Sequence, residues 1–186
     1  MGPVTSIEAF SAGGHVAHWR TGDGAHRETL SLRWENEAWT ATAELARERV
    51  QYVLRLAPTW RIRQFLLFRD SGEPDLWLAT DGHDRWGEVN GAHRTELDGC
   101  TDIDIVCSVF PATVPIRRLP LGIGDAAELR VAVVDVESLA VDVAVRRYTR
   151  VGERTWRRWS GEDGKTTEFD VDAHGLVIDQ PDRPPR

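Results

Sequence analysis

Residues 60–68 read Trp-Arg-Ile-Arg-Gln-Phe-Leu-Leu-Phe, and their first half alternates apolar with charged side chains. Trp60, Ile62 and Leu66 are set against Arg61 and Arg63, the period-two pattern of a strand with one face in a core and the other in water. The same alternation precedes this stretch at residues 29–34, 39–45 and 50–56, and follows it at residues 76–80. Turn dipeptides that tolerate positive φ separate such runs: Asp81-Gly82, Asn90-Gly91, Asp163-Gly164 and the Gly22-Asp23-Gly24 tripeptide. Residues 128–136 and 139–150 are long and rich in Val, a β-branched residue suited to a pleated surface. Residues 154–160, 166–171 and 175–179 complete a set of ten to twelve strands. Helical periodicity is nearly absent; residues 43–49 fit either a short helix or strand ends with a turn. The pattern predicts an all-β, antiparallel meander curled into a sandwich or barrel.

The 186 residues suit one domain, and no linker or repeat divides them. Residues 1–13 and the Pro-rich residues 181–186 are expected to be flexible. With 41% hydrophobic and 28% charged residues the chain can build a core. Its net charge of -7 argues against a nucleic-acid partner, which needs clustered cations. There is no apolar run long enough to cross a bilayer and no secretory leader, so a cytoplasmic protein without integral membrane contact is expected. The six histidines show no metal-ligand spacing, and Cys100 and Cys107 are not a CxxC pair, so neither metal nor cofactor is expected. Neither a GxSxG context nor a complete nucleotide-binding fingerprint is present.

Two features carry functional weight. Eight tryptophans are spread along the chain; they fit core packing, and equally an aromatic lining for an apolar or sugar-bearing ligand on a curved sheet. Residues 97–105, Leu-Asp-Gly-Cys-Thr-Asp-Ile-Asp-Ile, form the densest polar cluster. In a strand, Cys100, Asp102 and Asp104 share one face and Thr101, Ile103 and Ile105 the other. Stacked carboxylates need nearby cations, and Arg117 and Arg118 follow closely. One reading is a structural Asp–Arg network of Asp98, Cys100, Asp102 and Asp104 that pins residues 110–120 to the sheet. The others are a polar ligand-head site and hydrolase-type acid/base chemistry with Cys100 as nucleophile.

Residues 97–120 (LDGCTDIDIVCSVFPATVPIRRLP) resemble the putative glycolipid-binding family of bacterial proteins. Asp98, Gly99, Cys100, Asp102 and Asp104 match the start of its signature, and residues 115–119 (PIRRL) match its end. Residues 175–179 and Pro181 resemble its closing strand. Residues 108–114 depart from the family's Thr-Pro-Phe-Thr-Asn-Thr-Leu-like run, and Gln180 stands where a Tyr is usual. The resemblance implies a curved, unclosed half-barrel similar to bacterial lipoprotein carriers, with an apolar concave face. It further implies a non-enzymatic carrier or sensor of a lipid-like or glycolipid-like ligand. Arg117 and Arg118 would then orient the head, with Trp60 and Trp77 among the lining rings. A filled barrel would instead mark a structural or interaction module.

Overall fold

The computed structural model describes residues 7–20, 24–70 and 72–178. Among them are twelve strands in two sheets. The first seven form an antiparallel meander: β1 (His15–Arg20), β2 (Arg27–Glu35), β3 (Ala38–Leu45), β4 (Val50–Leu56), β5 (Ile62–Phe68), β6 (Leu76–Thr80) and β7 (Trp86–Glu88). This sheet curls but does not close, leaving β1 and β7 as its two edges. The second sheet, in order β12-β11-β10-β9-β8, contains β8 (Asp102–Ile105), β9 (Ala126–Val134), β10 (Val141–Arg150), β11 (Thr155–Ser160) and β12 (Thr166–Asp170). The little helix present is a 3-10 turn over Thr95–Leu97 between β7 and β8 and, between β8 and β9, a 3-10 turn over Phe110–Ala112 that runs into α1 (Thr113–Arg118). None of the helices among the described residues is long and apolar enough to cross a membrane.

The alternation that marked the strands becomes rows of facing side chains. Leu30, Ala43, Tyr52 and Leu67 oppose one another across β2 to β5 and are fully buried on the concave face. Residues 43–49 are the end of β3 and a turn, not a helix. Residues 175–179 do not make the expected strand. Asp172 Oδ1 accepts the His174 and Leu176 N–H groups, bending residues 172–176 into a turn that leaves one isolated bridge, Val171 with Val177; residue 179 lies outside the described residues. One register also differs. Leu56 pairs with Ile62 but Arg55 with Gln64, so a bulge absorbs Arg63 and shifts the phase. Phe65 and Leu67 therefore face the core, and Leu66 stands on the outer face half-buried.

The second sheet is mixed, a departure from an all-antiparallel reading. β8 runs parallel to β9, because the intervening chain crosses over through α1 instead of returning by a tight turn. Its Ile103 and Ile105 sit in register with Ala132 and Val134. These four join Leu54, Phe65, Leu78, Phe110 and Val114 in one continuous core. The concave face of the half-barrel is thus filled by the chain's own second sheet and crossover, and is apolar apart from the buried Glu28, Tyr52 and Ser108 cluster. A second core, with Ile116, Leu129, Val131, Tyr148, Trp156 and Phe169, lies on the opposite face of the second sheet. Of the N-terminal stretch expected to be flexible, residues 7–13 are described, and they lie against the body through the buried ring of Phe10.

Candidate functional site

On β8, register places Asp102 beside Val131 and Asp104 beside Val133, while Ile103 and Ile105 take the core side. Both carboxylates therefore face the second core, and each meets an arginine there. Arg118 Nη1 and Nη2 donate to Asp102 Oδ1 and Oδ2 at 2.7 and 2.5 Å, a bidentate pair that uses both oxygens. The Thr101 hydroxyl adds a third donor at 2.7 Å. Asp104 Oδ2 accepts from Arg146 Nε at 2.9 Å, and Arg146 also pairs with Glu162. Beside them lies Tyr148, whose hydroxyl is pushed up to about 12 by burial. Asp98 is elsewhere, at the surface, where Oδ1 meets His93 Nε2 at 2.8 Å. The Cys100 thiol is buried, which pushes its pKa up, and the Cys100 carbonyl accepts the Trp86 indole N–H at 2.9 Å. Both oxygens of Asp102 and Oδ2 of Asp104 are taken by arginines, and the four residues do not converge on one point as acid, base and nucleophile would.

Consecutive residues on a helix point about 100° apart, so Arg117 leaves α1 in a different direction from Arg118. It reaches the end of the half-barrel where the β2–β3 hairpin, the β4–β5 turn, the N-terminal segment and residues 172–178 gather. Its Nη1 donates to the carbonyl of Glu8 at 3.1 Å and, in a short bond, to that of His174. Its guanidinium carbon lies 4.4 Å from the ring centres of both Phe10 and Trp60. Among the described residues no carboxylate forms an ion pair with it, and its Nε is buried without a hydrogen-bond partner. Burial pulls its pKa down to about 10, against the opposing influence of Asp172.

Trp60 reaches this place through a tight turn, not a strand. Its φ is 64°, its N–H donates to Ala57 O at 2.8 Å, and its ring folds inward. Around it runs a chain of rings. Trp34, 38% exposed, meets Trp39 at 5.1 Å; Trp39 stacks on Trp60 at 6.1 Å. Phe10 stands 5.8 Å from Trp60 and 5.9 Å from Trp39, stacks on His174 at 4.9 Å, and touches His15 at 5.0 Å. Beside this row, between β1 and residues 172–178, opens a recess of about 180 Å³ lined by His15, Trp19, Asp172 and Leu176 among others. The Trp19 indole closes one side by donating to Val177 O at 2.6 Å.

Of the residues singled out from the sequence, the structure brings Arg117 and Trp60 together. Arg118 goes to Asp102 instead. Trp77 is on the outer face of the first sheet, in register with Leu66, because its neighbour Leu78 takes the core side. Phe10, His15 and His174 were missed: they come from irregular or edge segments whose convergence is tertiary. Glu28 was missed as well. It lies on the concave face between the sheets, fully buried, in phase with Leu30 and Leu32 along β2, and that phase was its signal. Ser108 Oγ and Tyr52 Oη donate to its Oε1 at 2.6 and 3.1 Å, and the Val109 N–H to its Oε2 at 2.6 Å. Among the described residues no cation pairs with it, and burial raises its pKa. No group of three or more His, Cys, Asp or Glu among the described residues could hold a metal ion.

The model of the putative glycolipid-binding family matches residues 16–186. The chain belongs to that family. The match takes in both the Asp–Arg face and the ring-lined end, apart from residues before 16, which supply Phe10 and His15. The fold is similar to the 1.80 Å crystal structure of a DUF1089 family protein from Pseudomonas aeruginosa, with a TM-score of 0.70 and 31% identity over 83% of this chain and 89% of that one. No curated protein matches the chain.

Proposed function

We propose that this member of the putative glycolipid-binding family is a non-enzymatic binding protein that reads the polar head of a glycolipid-like molecule at the ring-lined end of its half-barrel. The observation that carries the reading is Arg117: a guanidinium held by two carbonyls and two aromatic faces, with no carboxylate of its own. Such a cation keeps donor capacity for oxygens of an incoming head group. The rings beside it offer flat apolar faces on which the C–H side of a sugar can rest. The space also limits the ligand. Sites for drug-sized molecules run to about 300–1,000 Å³; the recess is smaller, and the concave face is filled. Recognition of the head with only the first carbons of a chain suits these dimensions, which favours a sensor over a carrier that encloses acyl chains.

Native mass spectrometry of the purified full-length protein, alone and after addition of short-chain glycolipids, tests this. The expected result is a lipid-like adduct in the unmutated protein that is lost in Arg117→Met. An adduct retained in that variant, or none under either condition, would overturn the reading. The filled concave face favours a second reading, a structural or interaction module, and that reading expects no adduct at all.

A further inference from the structure

Phe10 sits in its surroundings as a ligand ring would. It is the one large buried side chain of residues 8–13, whose other members are exposed. Its ring stacks on His174, approaches Trp39 and Trp60, and lies under the Arg117 guanidinium. Besides Phe10, the segment is held by Ile7, partly buried against the second core, and by few hydrogen bonds. The Glu8 N–H donates to Ala173 O at 2.9 Å, the Glu8 carbonyl accepts from Arg117, and the Gly14 N–H closes a turn on Ser11 O at 3.0 Å. Segments with few buried side chains and exposed backbone open at lower free energy than the sheets they cover. The segment also lies before residue 16, where the family match begins, whereas Trp39, Trp60, Arg117 and His174 lie within it.

We infer that the cage formed by Trp39, Trp60, Arg117 and His174 is a subsite for one flat-faced ring, a pyranose of the ligand's head, and that Phe10 is its resident occupant, so that residues 7–14 are a displaceable plug. The inference rests on the head-group reading above and adds to it where the sugar goes and what must leave first. The plug lowers apparent affinity by the fraction of molecules in which the cage is open. A protein closed nine times in ten would gain about tenfold in affinity once Phe10 is truncated.

The experiment uses the full-length protein with n-octyl β-glucoside below its micellar concentration as the probe. Binding is read by tryptophan fluorescence and calorimetry in the unmutated protein, Phe10→Ala and Phe10→Leu, the last keeping apolar volume should the alanine variant fold poorly. Amide hydrogen exchange is followed at Glu8 and Gly14 on the unmutated protein. The expected result is weak binding by the unmutated protein, about tenfold tighter binding by Phe10→Ala with a smaller gain in Phe10→Leu, whose side chain fills the cage without a ring face, and probe-dependent loss of protection at Glu8 and Gly14 while Tyr52 and Leu54 are unchanged. Binding that is no tighter in the variants, or that leaves Glu8 and Gly14 protected, overturns the plug and leaves the head-group reading standing. Absence of binding in all three folded proteins overturns both.

Discussion

Arg117 and Arg118 are neighbours in the chain, and the structure treats them oppositely. Arg118 ends in a bidentate pair with Asp102, within a face where Asp104, Arg146 and Glu162 also satisfy one another. Charge there is largely matched by charge, although Arg158, buried beside Tyr148 and Asp104, keeps an Nε without a hydrogen-bond partner. Arg117 is satisfied only by carbonyl dipoles and aromatic faces, at the rim of the half-barrel. The difference separates a residue that braces the sheet from one that keeps donor capacity, one helical step apart, and the proposed function assigns the second to the ligand. Glu28 is a third case: it too lacks a counter-charge, but it is sealed between the sheets, where its hydrogen bonds tie the Ser108–Phe110 stretch to the concave face.

Breaking the brace has the largest expected effect. Asp102→Ala leaves the Arg118 guanidinium uncompensated in a mostly buried setting and costs about 3–5 kcal/mol in urea unfolding. Glu28→Leu strips acceptors from Ser108, Tyr52 and the Val109 N–H and costs about 1–3 kcal/mol by the same measurement. Glu28 also gives a pH signature. Burial raises its folded-state pKa above the ordinary 4.5, so the folded protein holds this proton more tightly than the unfolded chain. The stability it contributes is full below about pH 4.5 and is lost as pH rises through the folded value. Unfolding of Glu28→Gln across that range should lack this component of the decline.

Arg117→Met removes two cation–π contacts and two hydrogen bonds to carbonyls at a part-buried site but strands no opposite charge, so its stability loss should be about 1–3 kcal/mol, below that of Asp102→Ala. A loss as large as the brace's would mean that Arg117 is a brace too. Smallest of all, Asp98→Asn removes a surface pair with His93 and should change stability by less than about 1 kcal/mol.

Most strands were legible because one face of each is buried and the side-chain period is two. His15 and His18 fit surface strand positions, but the bounds of β1 were not legible because it is an edge strand with weak alternation, and β7 was not because three residues carry no periodicity. The bulge at Arg63 was invisible, since nothing local marks a shift of pairing with β4. At the site, the Asp102–Arg118 pair joins two stretches of the motif and could be suspected from their proximity. Arg146, 42 residues beyond Asp104, could not be assigned to it, because that pairing is made by strand order across β8, β9 and β10. Trp60 was read as a strand residue, yet its place in the ring row depends on a left-handed turn. The filling of the concave face also depends on a crossover whose parallel return no short-range pattern predicts.

The central claim is that ligand meets the rings around Arg117 and not the braced face of the second sheet. The chain's eight tryptophans give eight indole N–H reporters, and a two-dimensional NMR titration of the full-length protein with a short-chain glycolipid reads them separately. The predicted result is that Trp34, Trp39 and Trp60 shift with ligand while Trp156 and Trp86, buried in the two cores, remain in place. Shifts centred on Trp156 with Trp60 unmoved would contradict the account.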